Sequence, residues 1–509
     1  MQAHPSDLPS YRLYIDGAWT DAEHGMIMPV NEAAYTQPMA SVAQGSQSDV
    51  DRAVQAARLA FDKGPWPHTA PAERARILHA LADAIESRAA EFAEYESRNL
   101  GVPLRKSMFV DVPMAIEHFR TFAELARRSP YEPLPWIDMP TVSWNFVWRE
   151  PIGVCAQIVP WNYPLLMAAW KVAPALAAGN TLILKPASYT PLTALLLAEV
   201  IHDSGLFPRG VFNLVTGPGS SIGEALASHA DVDKVTFTGS TEVGRRIMEL
   251  ASGSIKRVTL ELGGKSPSIV LPDADLDLAV DGVLFGMFFN GGQSCEAGTR
   301  CLVPVAIYNE FVERLVARAS HLRLGDPLDL ETDLGPLVSH RQRETVERYI
   351  ALGVEEGAHV ALGAHHVHVP GFDNAPFVTP TIFTSVSNSM RIAQEEIFGP
   401  VLAVIPYNSI SEAIEIANHS FYGLSAAIWS RDLQSAIEVA KRIRCGTIWI
   451  NDHHLINPMA PFGGYKQSGI GREHGVHGLL AYTEVKHIHV DLMQKREGRV
   501  WWDVLLPEH

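Results

Sequence analysis

Cysteine is scarce. Four residues in 509 (Cys155, Cys295, Cys301 and Cys445) cannot staple a chain of this length, which points to a reducing, cytoplasmic setting. Positive charge is also in deficit: 41 Lys and Arg face 57 Asp and Glu, a net charge of −16. That argues against nucleic acid or an anionic membrane as a partner, while leaving room for a local basic pocket that holds a phosphate. Long apolar runs are missing. The most apolar stretch, Leu165 to Ala178, is interrupted by Lys171 and Pro174, short of the ~18 residues a membrane span needs. The opening MQAHPSDLPSYRLYIDG has no basic stretch followed by an apolar one, so no secretory leader is expected. What is present is 47% hydrophobic and 19% charged residues, the balance of a folded chain, long enough for roughly two to four domains.

The pattern along the chain is mostly α/β. Asp16-Gly17 between apolar flanks predicts a hairpin over Tyr11 to Thr20, because a tight turn needs residues that accept positive φ. A helix opening at Ser48 and Asp51 in capping-box spacing should bury Val50, Val54, Ala57 and Phe61. Another from Pro71 should bury Ile77, Leu81 and Ile85. These first elements read as packing, without chemistry. Short β-rich runs then recur at Val154–Val159, Thr181–Leu184, Val211–Val215, Val235–Phe237 and Val258–Leu260, with helical stretches such as Thr190–Asp203 and Thr241–Ala251 between them. A second set follows at Ser268–Leu271, Leu302–Val305, Val401–Ile405, Ala426–Trp429 and Thr447–Ile450, with a helix at Asn309–Leu322. Alternation of this kind predicts two doubly wound parallel sheets, joined near Leu262-Gly263-Gly264. Period-2 strands at Thr141–Arg149 and Val485–Val490 stand outside both sets and should pair elsewhere, with each other or on another subunit.

Candidate chemistry sits at the ends of these runs. Cys295 lies in Asn290-Gly291-Gly292-Gln293-Ser294-Cys295-Glu296-Ala297-Gly298, where glycines allow close backbone approach and neighbouring dipoles can activate a thiol. The other three cysteines read as structural. Glu261 ends a strand before Gly263-Gly264-Lys265, where a carboxylate can act as a general base or sit in a salt bridge. Asn162, after Pro160-Trp161, can donate to an oxyanion or simply make a turn. Phe237-Thr238-Gly239-Ser240-Thr241 joins a strand to a helix through small residues, the way a helix N-terminus meets a phosphate. It is not the GxGxxG pattern.

Taken together these blocks resemble the NAD(P)-dependent aldehyde dehydrogenase superfamily. The match runs from the hairpin near Tyr11 to Tyr482-Thr483-Glu484-Val485. In order it takes in Pro160-Trp161-Asn162, Lys185-Pro186, Phe237 to Ser240, Leu260 to Lys265, Gly292 to Cys295, Glu395 to Pro400 and Pro461 to Lys466. The resemblance implies an α/β fold of two doubly wound parallel-sheet domains plus a small β oligomerisation element. Residues 1–128 and 152–262 would form the dinucleotide-binding domain and 263–465 the catalytic domain. Residues 129–151 and 480–509 would be the oligomerisation element and tail of a homo-oligomer, a tetramer or dimer. It further implies Cys295 as nucleophile, Asn162 with the Cys295 backbone N–H at the oxyanion, and Glu261 as the base for thioester hydrolysis. Lys171 and Glu473 would lie on a proton path behind that base. NAD, with NADP also plausible, would be bound through Trp161, Lys185, Ser188, Gly239, Ser240, Gly263, Glu396 and Phe398. The aldehyde tunnel would be lined by Tyr163, Met167, Trp170, Phe289, Glu296 and Phe462, with His454 and Leu455 nearby. Alternatives are a CoA-acylating relative, which Glu261 argues against because water needs that activation, and a catalytically silent homologue, which the complete Cys295, Asn162 and Glu261 set argues against.

Several positions stand apart. Many NAD-preferring members of this superfamily carry Glu where this chain has Ser188; a Glu repels a 2′-phosphate and Ser does not, so the chain is expected to use NAD and to tolerate, or even favour, NADP. The aromatic and apolar tunnel favours medium aliphatic or aromatic aldehydes over semialdehydes. Glu296, directly after the nucleophile, either disfavours anionic substrates, or raises the thiol pKa, or points away. His365-His366-Val367-His368 and His453-His454 match no zinc spacing, and no metal is expected. The apolar tail Arg499 to Leu506 runs past the usual family end and is expected to pack on a neighbouring subunit.

Overall fold

The computed structural model describes residues 8–138, 142–497 and 499–507. Thr141, the expected start of a period-2 strand, and the first residues read for a leader lie outside them.

Two sheets carry the architecture. The first has eight strands. Its parallel centre runs in spatial order Arg257–Glu261, Lys234–Thr238, Val154–Ile158, Thr181–Lys185 and Phe212–Leu214. Gly469–Ile470 closes one edge antiparallel, and the Leu13–Ile15/Ala18–Thr20 hairpin closes the other. The second sheet has seven strands: His359–Leu362, Thr381–Thr384, Val401–Tyr407, Arg300–Pro304, Pro267–Val270, Ser425–Trp429 and Thr447–Ile450. All its pairings are parallel except the first. Central strands are buried on both faces, so they read as continuous apolar runs.

Chain order creates a crevice in the first sheet. After Val154–Ile158 the chain crosses to one side of the sheet, and after Lys234–Thr238 it crosses to the other. The loops leaving these neighbouring strands therefore diverge, which is where an open α/β sheet accepts a ligand. Those loops are Pro160–Tyr163 and Gly239–Ser240. The helix Pro164–Ala178 begins with Pro at its first turn, ends on the left-handed Gly179 (φ 96°), and is buried along its whole length. Its position is therefore set by packing on every side.

The second sheet meets this crevice with its opposite edge. The chain passes from Glu261 in the first sheet to Pro267 in the second, and Leu262–Ser266, Ser294–Thr299, Gly399–Pro400 and Leu424 all lie just before strands of the second sheet. The space between them is narrow: a Cβ on Gly264 would fall 2.2 Å from the Cys295 carbonyl oxygen. The C-terminal edge of one sheet thus faces the N-terminal edge of the other.

The outlying strands pair with each other. Thr483–Asp491 runs antiparallel to Ser143–Pro151 over their full length, and Tyr131–Pro133 adds a third strand. The expected helix start needs correcting. The cap is Ser46 rather than Ser48, and the reciprocal partner is Asp49 rather than Asp51. Ser46 wins because Asp49 is buried there and also accepts from the Glu23 N–H and from Arg52, contacts that a cap two residues later would forfeit. Phe61, expected in the core, is only partly buried. The tail ends in a short helix, Val500–Asp503, whose Trp501, Val504 and Leu505 are exposed in the single chain. Among the described residues no helix is long and apolar enough to cross a membrane, and no group of three or more His, Cys, Asp or Glu is placed to hold a metal.

Candidate active site

A cavity of about 240 Å³ lies between the two facing edges. From the first sheet come Trp161, Asn162 and Tyr163 on one diverging loop, and Gly239 and Ser240 on the other; the buried helix adds Met167 and Trp170. From the loops before the second sheet's strands come Gly263, Cys295, Glu296, Glu396 and Phe398, from the end of the helix Leu276–Phe288 comes Phe289, and from the loop after Thr447–Ile450 comes His454.

The cysteine loop is shaped by its backbone. After the helix Leu276–Phe288, Asn290, Gly291 and Gly292 take left-handed φ of 61°, 63° and 71°, a conformation that costs little only for Gly and Asn. Three buried amides lock it. Asn162 Nδ2 donates to the Gln293 carbonyl (2.9 Å), Asn290 Nδ2 donates to the Asn162 carbonyl (3.1 Å), and Gln293 Oε1 accepts from the Val338 N–H (3.0 Å). Asn162 therefore both lines the cavity and ties the cysteine loop to the first sheet. Gln293 and Asn290 act through this network, a role that no local pattern in the loop announces.

Cys295 is partly exposed to the cavity. Its Sγ–H donates to Glu296 Oε2 at 3.2 Å. Burial, and then the Glu296 carboxylate, push the thiol well above its ordinary pKa. Burial works to raise Glu296 as well, but hydrogen bonding and charge from His454 outweigh it and hold the carboxylate down at about 2. Glu296 therefore points at the thiol, which closes the alternative that it faces away.

Behind the cavity wall, Glu261 is buried, and burial followed by repulsion from Glu473 raises it well above the usual carboxylate range. Neither of its oxygens meets a protein donor among the described residues, which leaves their lone pairs for water. Lys171 Nζ, fully buried, bonds Glu473 Oε1 at 2.6 Å. Gly463 lets the chain pass close to the Glu261 carboxylate, where a Cβ would stand 2.8 Å from Oε1.

The residues that would hold a dinucleotide are compatible with one. Ser240 caps the helix Thr241–Ser252 and accepts from the Val243 N–H, so its remaining N–H groups and dipole favour an anion at that end of the cavity. Lys185, buried, is pushed down to about 8 by that burial. Glu396, aligned by the Gly264 N–H at 3.1 Å, is raised by burial to about 7. A Cβ on Gly263 would stand 2.4 Å from that carboxylate. Ser188 Oγ donates to the Gly217 carbonyl at 3.0 Å.

Not every expected residue reaches the wall. Leu455 is 68% exposed and its neighbour Ile456 lines the cavity instead, because His454 takes a left-handed turn (φ 61°) that reverses which side faces in. Phe462 sits one layer back, edge-on to Trp170 at 5.2 Å and stacked near His474. Lys185 and Ser188 lie beyond the enclosed part of the cavity. Val110, Met114, Leu166 and Gln342 also line it, and the sequence had not singled them out. Val110 belongs to a π-helical turn, Ser107–Asp111, whose extra residue per turn is not visible in a hydrophobic pattern. Gln342 holds the Ile397 and Phe398 carbonyls from a distant helix.

The model of the aldehyde dehydrogenase family matches residues 19–488. Betaine aldehyde dehydrogenase of Bacillus subtilis is 46% identical over 484 residues, covering 94% of this chain and 97% of its own. Human retinal dehydrogenase 2 is 45% identical over 486 residues, covering 95% of this chain and 92% of its own. The NAD+ complex of an aldehyde dehydrogenase from Bacillus cereus superposes with a TM-score of 0.92 at 42% identity, covering 97% of this chain and 99% of that one.

Proposed function

This chain belongs to the aldehyde dehydrogenase family and is an NAD-dependent oxidoreductase acting on aldehydes, and from that premise we propose how its residues divide the work. Cys295 attacks the aldehyde carbon to form a hemithioacetal, and Asn162 with the Cys295 backbone N–H holds the oxyanion. When bound, NAD supplies the hydride acceptor. The resulting thioester on Cys295 is released by a water that Glu261 deprotonates, and Lys171 with Glu473 carries the proton away. A base raised above the ordinary carboxylate range suits that task. The reading rests on one observation: thiol, oxyanion donor and phosphate-binding helix end line the same cavity. It is tested by mixing enzyme, NAD and a panel of aldehydes, following absorbance of the reduced cofactor and identifying the acid. Turnover that needed CoA would redirect it to an acylating relative.

The dinucleotide would be held by Trp161, Gly239, Ser240, Gly263, Glu396 and Phe398, with Lys185 and Ser188 at its adenosine end. Residues 1–128 and 152–262 would form its domain, 263–465 the catalytic domain, and 129–151 with 480–509 an oligomerisation element. An exposed antiparallel ladder bearing Trp144 and Trp148, together with the apolar tail, supports a homo-oligomer. All four thiols are unpaired, in keeping with a cytoplasmic location. A small cavity walled by Trp170, Met167 and Phe289 favours medium aliphatic or aromatic aldehydes.

Ser188 makes NADP acceptable. Activity with NADP should stay above a hundredth of that with NAD at equal concentration. Ser188→Glu should raise the KM for NADP by about tenfold or more, leaving that for NAD within a factor of a few, because a carboxylate beside a 2′-phosphate costs on the order of 1–4 kcal/mol. Initial rates with both cofactors for both proteins decide it.

A further inference from the structure

The thiol does not stand alone against the cavity. Cys295 Sγ–H donates to Glu296 Oε2 (3.2 Å), Glu296 Oε1 meets His454 Nδ1 (2.9 Å), and His454 Nε2 meets the Gly286 carbonyl (3.0 Å). Gly286 offers only an acceptor, so Nε2 donates to it and Nδ1 faces the Glu296 carboxylate, which fixes the ring in one orientation. Glu296 and His454 are buried. His453 fixes the loop from behind, its Nε2 on the Glu296 carbonyl at 3.1 Å, where Gly286 and Gly298 leave room for its ring.

We propose that Glu296, held by His454, is the proton acceptor for the Cys295 thiol, making Glu296 a catalytic residue and His454 a positioning residue. As sulfur attacks, the C–S bond forms from a sulfur lone pair and the S–H bond breaks, its proton passing to Glu296 Oε2. The carbonyl π pair moves onto oxygen, beside Asn162. Before the transfer the thiol is neutral and Glu296 carries −1; with the proton on Glu296, the sulfur would carry −1 and Glu296 0. The sum is unchanged. Losing the proton to bulk water would instead add a negative charge to a buried site, at a large desolvation cost. Other titratable groups face this chain: Tyr163 and His453 beside Glu296, and Glu261 and Glu396 toward the thiol. Lys106 over the Tyr163 ring is neutralised by Asp111. None of these offers Sγ a hydrogen bond as Glu296 does.

The inference rests on Cys295 being the nucleophile, so the experiment separates the two. The pre-steady-state burst of reduced NAD is measured from pH 5 to 10 in the full-length enzyme, with NAD binding by fluorescence as a folding control. Wild type should give a burst rate nearly flat through neutrality. Glu296→Gln should slow it about a hundredfold at pH 7 and make it climb with pH as the thiol ionises into solvent. His454→Gln weakens the interaction that holds the Glu296 carboxylate down and so raises its pKa. The base form then exists only above the new value, so the burst should gain an acid limb that wild type lacks. A Glu296→Gln burst equal to or faster than wild type would overturn the proposal, since a carboxylate that merely raises the thiol pKa must slow the enzyme. If Glu296→Gln fails to bind NAD, the presence or absence of the His454→Gln acid limb decides. A Cys295→Ala enzyme that still turned over would instead sink the nucleophile assignment itself.

Discussion

Cys295→Ala is expected to lower aldehyde oxidation by at least ~10⁴-fold, the scale seen when a nucleophile is removed from a cooperating set. Affinity for NAD should be nearly unchanged, because the helix end at Ser240 and the carboxylate of Glu396 belong to other elements. The loop should survive the substitution. Its shape comes from the left-handed Asn290 to Gly292 turn and the Asn162–Gln293 amide network, and not from the sulfur. The measurement is steady-state production of reduced cofactor alongside equilibrium binding of NAD. A dead enzyme that also fails to bind would point to misfolding. One that binds and still turns over would remove the covalent mechanism.

Glu261→Gln should separate the two halves of the reaction. Attack and oxidation do not need this base, so a stoichiometric burst of reduced cofactor should remain. Steady-state turnover should fall about a thousandfold, as the thioester waits for a water that nothing deprotonates. Intact-mass measurement after one turnover should find the acyl group on the protein, and hydroxylamine, which needs no such base, should release it. The pH dependence carries a sign. A base acts only when deprotonated, and burial with Glu473 raises Glu261 above the ordinary carboxylate range. Hydrolysis in wild type should therefore be lost as pH falls through that raised value, earlier than a solvent-exposed carboxylate would impose. The variant should lack that limb. Loss of the burst together with turnover would show that Glu261 acts before the thioester and not after it.

Much of the fold was legible because its signals are local. Each expected strand of both parallel sets is present, with ends moved by a residue or two, since continuous apolar runs flanked by glycine or polar residues report burial on both faces. The capping box slipped by two residues because Ser46, Ser48, Asp49 and Asp51 offer two registers of equal spacing. Only the partners of Asp49, the Glu23 N–H and Arg52, choose between them. In the cavity, Leu455 and Ile456 show the same limit. Both are apolar neighbours, and which one faces inward depends on one left-handed residue, His454, that propensity does not favour.

The order of residues alone determined which chemical groups the chain carries and where each sits on its own strand or loop. It placed Cys295 among glycines, Glu261 at a strand end, and Asn162 and Ser240 each after a strand, because backbone preference and hydrophobic period act over a few residues. Tertiary structure decided what those groups do to one another. It set the C-terminal edge of one sheet against the N-terminal edge of the other, put Lys171 on Glu473 and moved Phe462 behind Trp170. It also joined Glu296 to His454, 158 positions away. Contacts of that separation depend on how whole elements pack, and no short-range pattern encodes the direction a side chain takes once they do.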